Sequence, residues 1–269
     1  MLMEEVFDFI STAKIDAKLH QDILAHEDKM RKFYIVIFVV LIFIFRGWIG
    51  YWLKFGVAVP SGYDIKPINV QAEPVQVSYT EDEQNKKTFK YHSLINNNEM
   101  EIIPQAHYIL SGRVVAFNHD FLFVSKFFDS AALYDLGVSW GKLSDKSFFK
   151  KYVETYSSKV EMTGSRRLNW RYRNDIPLEP VYINSHISHS HIIPANRNIM
   201  AALLKLKLWD IVQVEGDLVD MKYYDVKNAR KIDYRTSLSR QDTDASSRGN
   251  GACETIYVTK VRIGNTVYR

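Results

Sequence analysis

Between Phe33 and Phe45 the chain reads FYIVIFVVLIFIF, thirteen residues without a charge, a glycine or a proline. A run this apolar belongs in a protein core or in a bilayer. Arg46 interrupts it, and GWIGYWL carries it on to Leu53 before Lys54. From Phe33 to Leu53 is 21 residues. As a helix they span about 31 Å, against a hydrocarbon core of about 30 Å. An arginine at the bilayer centre costs roughly 2.5–3.5 kcal/mol, but Arg46 lies about two turns from the end and can snorkel outward. Trp48, Tyr51 and Trp52 gather at that end, as an interfacial aromatic belt does. We therefore expect a transmembrane helix over 33–54, with Arg46, Trp48, Tyr51 and Trp52 at the membrane interface.

The run begins 32 residues in, and no small-residue cleavage site follows it, so the expectation is a permanent anchor rather than a signal peptide. Lys29, Arg31 and Lys32 outweigh Arg46 and Lys54 across the span. That bias places the N-terminus in the cytoplasm and the rest of the chain outside the inner (cytoplasmic) membrane. The mean hydropathy of −0.21 conceals all of this, because it averages the span with a polar remainder.

The remainder is an ordinary folding sequence. Of 269 residues, 46% are hydrophobic and 25% charged, which excludes a disordered chain. A single cysteine excludes a disulfide scaffold. A net charge of +4 compels no nucleic-acid partner, and such a partner enters only if the topology is reversed.

Residues 1–32 read as a helix. Leu2, Val6, Phe9, Ile10, Ala13 and Ala17 form a stripe on it, available for self-association or a partner. Residues 55–90 read as a linker, with Pro60, Pro67 and Pro74 at seven-residue intervals and a charged loop or turn at Thr80–Lys87. Residues 91–269 read as one domain. Strands are expected at Ala106–Phe117, Phe121–Phe127, Leu168–Arg173, Pro180–Ile193, Asp210–Met221 and Glu254–Ile263. Helices are expected at Ser144–Val160 and Ala195–Leu208. Gly112 and the central glycine of the Asp210–Met221 strand are positions where a strand can bend. The fold class is thus α+β and mainly β, with a bent or barrel-like sheet.

Four groups of residues offer chemistry. His186, His189 and His191 lie in SHISHSH. On a strand, His189 and His191 share one face and His186 takes the other, so His189 and His191 form a metal pair that lacks a third ligand. His107, His119, Asp242, Asp244 and Glu254 are candidates for that role. Asp242 and Asp244 also fit a divalent cation loop, without the EF-hand pattern. Arg166, Arg167, Arg171 and Arg173 interleave with Trp170 and Tyr172 in RRLNWRYRND. They read as a sheet edge, or as a surface for an anion or an acidic partner. Cys253 follows a glycine-rich stretch and reads first as a small side chain at the start of the last strand.

With His191 upstream and Arg262 nine residues downstream, Cys253 follows a His…Cys…Arg order that loosely resembles the sortase transpeptidases. Those also place a membrane anchor before a β-barrel. The resemblance implies Cys253 as nucleophile, His191 as acid/base and Arg262 as oxyanion stabiliser. Gly-Asn-Gly-Ala stands here where a sortase carries Thr-Leu-x-Thr before its cysteine.

No Walker A, GxGxxG, HExxH or GxSxG motif is present, and no cofactor is implied. The leading expectation is a non-enzymatic, single-pass module of the bacterial envelope that assembles with other membrane proteins. Gly47 and Gly50 offer a small-residue patch on the span for helix packing. The alternative is an anchored hydrolase or transpeptidase built on Cys253 or the histidines.

Overall fold

The structure, a computed structural model, describes residues 26, 29–40, 54–94, 99–118, 132, 134–159, 166–225, 230–239 and 253–269. The chain divides into two compact units, Met1–Lys54 and Phe55–Arg269.

In the first unit, residues 29–40 form a helix, α1. Phe33 to Val40 are apolar without exception and all exposed, from 39% to 64%. Eight consecutive residues at 3.6 per turn cover every face of a helix. Among the described residues no helix is long and apolar enough to cross a membrane. The rest of the expected span lies outside the described residues, with Arg46, Gly47, Trp48, Gly50, Tyr51 and Trp52. So does the stripe from Leu2 to Ala17.

The second unit is a mainly β, α+β domain. Its strands are β1 (Gly62–Tyr63), β2 (Val75–Ser78), β3 (Phe89–His92), β4 (Glu99–Asn118), β5 (Tyr134–Ser139), β6 (Val153–Lys159), β7 (Arg166–Tyr172), β8 (Ile187–Pro194), β9 (Ile211–Asp225), β10 (Arg230–Tyr234), β11 (Glu254–Ile263) and β12 (Thr266–Tyr268). Its helices are α2 (Glu81–Lys87), α3 (Lys146–Tyr152), α4 (Pro180–Ser185) and α5 (Arg197–Leu203).

Ten strands form one mixed sheet, and β6 and β7 pair as a separate hairpin. Hydrogen bonding runs β11–β8–β5–β4–β9 and returns from β9 to β11. The sheet is therefore ring-like, which corrects the expectation of a barrel. The reason lies in β4. It gives residues 101–113 to β9 and residues 113–118 to β5, so its two ring neighbours take successive stretches of its length. β2 and β3 pair with the earlier part of β4. A barrel needs strands flanked on both sides over a common cross-section.

β4 shows why this sequence makes sheet. Every second residue from Met100 to Val114 is buried, the period of a half-buried strand. The alternation breaks at Val115, where the register with β5 shifts. β5 and β8 are buried throughout, as strands covered on both faces are. One apolar cluster gathers Tyr91, Met100, Ile102, Ile193, Val219 and Met221. Another packs Val115, Leu143, Phe149, Ile183 and Ile187 together with Trp170 and Tyr172 of β7.

Several elements differ from expectation. The region 55–90 carries β1, β2, α2 and part of β3, all joined to the domain's sheet apart from α2. Thr80–Lys87 is not a loop. Thr80 and Glu83 form a reciprocal capping box, and α2 runs from acidic to basic residues in the sense its dipole favours. The helix expected over Ser144–Val160 stops at Tyr152, because Val153 is extended and the following residues pair with β7. Pro180–Ser185 is helical, not extended, with Pro180 in the first turn where its missing N–H costs nothing. The helix expected over Ala195–Leu208 is shorter, opening at an Asn196 cap and closing at Leu203. Phe121–Phe127 lies outside the described residues.

Candidate functional site: a histidine and cysteine cluster at the centre of the sheet

The neighbouring strands β5, β8 and β11 bring the site together. β8 runs antiparallel to β5 with Asp135 opposite His191. It runs parallel to β11 with Glu254 beside Ser190, which sets Cys253 beside His189. Residues opposite one another across a sheet point to the same side, as do residues two apart on a strand. Asp135, His189, His191 and Cys253 therefore share one face.

The side chains meet accordingly. Cys253 Sγ lies 3.4 Å from His189 Nδ1. His191 Nδ1 lies 2.8 Å from Asp135 Oδ1, and His189 Nε2 lies 3.8 Å from the same oxygen. The two imidazoles stand edge to face with ring centroids 4.6 Å apart. Ligand atoms of His189, His191 and Cys253 all fall within 4.8 Å of one another. Asp135 is fully buried and the two histidines nearly so, while Cys253 is partly exposed.

The far side is closed by the chain after β10. Ser237 N–H donates to the Cys253 carbonyl at 3.3 Å, and Thr255 N–H donates to Thr236 Oγ1 at 2.9 Å. These bonds fix the backbone on either side of the thiol. The Tyr234 ring stands 6.5 Å from that of His191. Burial, followed by the nearby Cys253, pushes its phenol well above the ordinary range, so Tyr234 stays a neutral hydroxyl beside the cluster.

This arrangement supports two kinds of chemistry. A thiol within reach of an imidazole can pass its proton to it and become a nucleophile. Two imidazoles and a thiolate on one face can also hold a soft or borderline metal ion.

The expected residues are thus partly assembled. His189 and His191 do share a face, and Cys253 joins them as the third group. The imidazole beside the thiol is that of His189, whereas His191 is held by Asp135. His186 is not on β8 but at the end of α4, where it stacks on Tyr182 and lies 2.9 Å from Glu73. Arg262 stands at the other end of β11, nine residues and roughly 30 Å of strand from Cys253. It is buried there, bound to the Asp64 carboxylate at 2.8 Å and to the carbonyls of Asp64, Lys66 and Gly264. His107 lies 3.6 Å from Asp217 on another part of the sheet. Glu254 follows Cys253 and so alternates to the opposite face. His119, Asp242 and Asp244 lie outside the described residues.

Asp135 was not anticipated. Its signal was available, as the one acid in the apolar stretch YDLGVSW. Of the four arginines, the two whose side chains are described each pair with a nearby acid. Arg171 pairs with Glu154 and lies over Tyr156, and Arg173 forks onto Asp175. Of Arg166 and Arg167 only the backbone is described, pairing with Lys159 and Ser158.

Comparison with known protein families, characterised proteins and solved structures finds no match to this chain.

Proposed function

We propose that the protein is a single-pass module of the bacterial envelope, anchored in the inner (cytoplasmic) membrane by residues 33–54. Its N-terminus is cytoplasmic and its β-rich domain extracytoplasmic, where it joins a complex of membrane proteins. The carrying observation is the helix from Phe33 to Val40, apolar on every face and exposed throughout. In water such a surface costs about 25 cal/mol for each Å² left wet, which no polar face offsets here. In lipid the cost vanishes. Alkaline extraction tests the reading. The full chain should stay with the membrane pellet, and a chain lacking residues 33–53 should leave it. A full chain that washes off with peripheral proteins contradicts the anchor.

The 3.4 Å approach of Cys253 to His189 favours a second reading, in which the domain is an anchored enzyme using that pair. Cys253→Ala should then abolish the function of the intact protein, and the pure module reading predicts that it survives.

A further inference from the structure

We propose that His189, His191 and Cys253 form a zinc site, with Asp135 as the carboxylate that orients the His191 imidazole and faces that of His189. The inference goes beyond the anchored-module reading and does not depend on it.

Three observations converge. The donor set is two imidazoles and a thiol, a combination suited to zinc and unsuited to magnesium or calcium, which take oxygen ligands. The spacing fits as well. In a tetrahedral zinc site, bonds of about 2.3 Å to sulfur and about 2.0–2.1 Å to nitrogen place those two ligand atoms about 3.6 Å apart. Cys253 Sγ and His189 Nδ1 are 3.4 Å apart, and all three ligand groups lie within 4.8 Å. Drawing in the wider pairs takes side-chain movements of about 1 Å, within one rotamer well.

The third observation is Asp135. Zinc-binding histidines characteristically donate their second ring N–H to a carboxylate, which fixes the tautomer and raises the basicity of the ligating nitrogen. Asp135 is fully buried and touches His191 through Nδ1, which makes Nε2 the ligating atom of that ring. The same oxygen faces Nε2 of His189, whose Nδ1 is the atom beside Cys253. The carboxylate thus hydrogen-bonds one imidazole and lies 3.8 Å from the nitrogen of the other that points away from the sulfur. A thiol–imidazole pair requires one histidine, and this site supplies a second, equally buried and separately oriented.

Charge supports the same assignment. A thiolate and a carboxylate in a buried site carry two negative charges, and zinc neutralises both. Three protein ligands leave a fourth position, taken by water or an exogenous ligand, and the partial exposure of Cys253 marks its side of approach.

The test uses the full chain in detergent, purified without a histidine tag from zinc-replete cells. Elemental analysis should find one zinc per chain. Cys253→Ser, His189→Ala and His191→Ala should each lose stoichiometric zinc, while Asp135→Asn should keep the site with affinity lowered 10- to 100-fold. Replacement by cobalt should produce tetrahedral visible bands together with a sulfur-to-cobalt band, and Cys253→Ser, which preserves size, should lose the latter. Zinc should also slow alkylation of Cys253. Wild-type protein that binds neither zinc nor cobalt, with Cys253 alkylated equally fast in both conditions, overturns the proposal and leaves a thiol–imidazole pair. Copper in place of zinc, seen as an intense thiolate-to-copper band, overturns the metal assignment.

Discussion

Gly216 of β9 sits opposite Val258 of β11. A methyl group there would lie well inside van der Waals contact of the Tyr257 carbonyl oxygen, and backbone cannot swing away as a side chain can. The glycine is needed for close approach, since its φ is not left-handed. Gly216→Ala should therefore lower stability by roughly 1–3 kcal/mol, the usual cost of overpacking. A denaturant midpoint unchanged by the substitution would contradict the closure of the ring at this point. Arg262 makes an equally local prediction. It ties residues 64–66 to the last long strand through a carboxylate and carbonyl oxygens. Arg262→Ala should cost roughly 2–3 kcal/mol by leaving those groups unpaired, and should leave metal binding at Cys253 intact. A denaturant midpoint unchanged by the substitution would contradict the tie between residues 64–66 and the strand. The histidine pair was legible at this scale because strand period alone puts residues 189 and 191 together. Cys253 and Asp135 were not, because 62 and 56 positions of sequence separate them from His191 and only strand order unites them.

Helix ends carry the predictions at the scale of elements. Asn196 caps α5 by accepting from Ile199 N–H at 2.9 Å, and α5 buries Ile199 to Leu203 against the sheet. Asn196→Ala should cost about 1 kcal/mol, read from the thermal midpoint. Asp145 caps α3, and bonds from the Phe148 and Ser147 amides hold its carboxyl below its ordinary value of 3.8. A depressed folded-state value means the stabilisation is complete above about pH 4 and is lost as pH falls through the depressed value. The α3 cap should therefore be indifferent to pH between 7 and 5 and loosen only in acid. Asp145→Asn should remove that acid dependence, which a comparison of melting profiles against pH checks directly. Element type was read well where one periodicity ran long, as in β4 and β11. It failed at junctions. At Tyr152–Val153 a helix passes into a strand without glycine or proline, and only pairing with β7 decides the boundary. At Thr80 the Thr-x-x-Glu spacing of a capping box stands in the sequence, but the helix it opens buries no residue and so carries no apolar period to mark it.

At the scale of the whole molecule, the proposed anchor gives the chain two parts that meet different solvents. Residues 1–56 hold seven basic and seven acidic residues, so the excess of four positive charges belongs entirely to residues 57–269. The apolar helix and the β domain are likewise distinct compact units. The domain buries an apolar core that includes Ile102, Leu110, Leu136, Ile192 and Val214, and the helix exposes every residue from Phe33 to Val40. Average hydropathy merges these opposites, whereas the thirteen-residue run separates them at once. We infer that the helix holds the chain in the membrane and that the domain lies outside the cytoplasm. A reporter enzyme that is active only outside the cytoplasm, fused after Arg269, tests it most directly. Full reporter activity is expected, and it should be lost when residues 33–53 are deleted. A silent reporter on a full-length, membrane-bound fusion, with a cytoplasm-active reporter working at the same position, would contradict it.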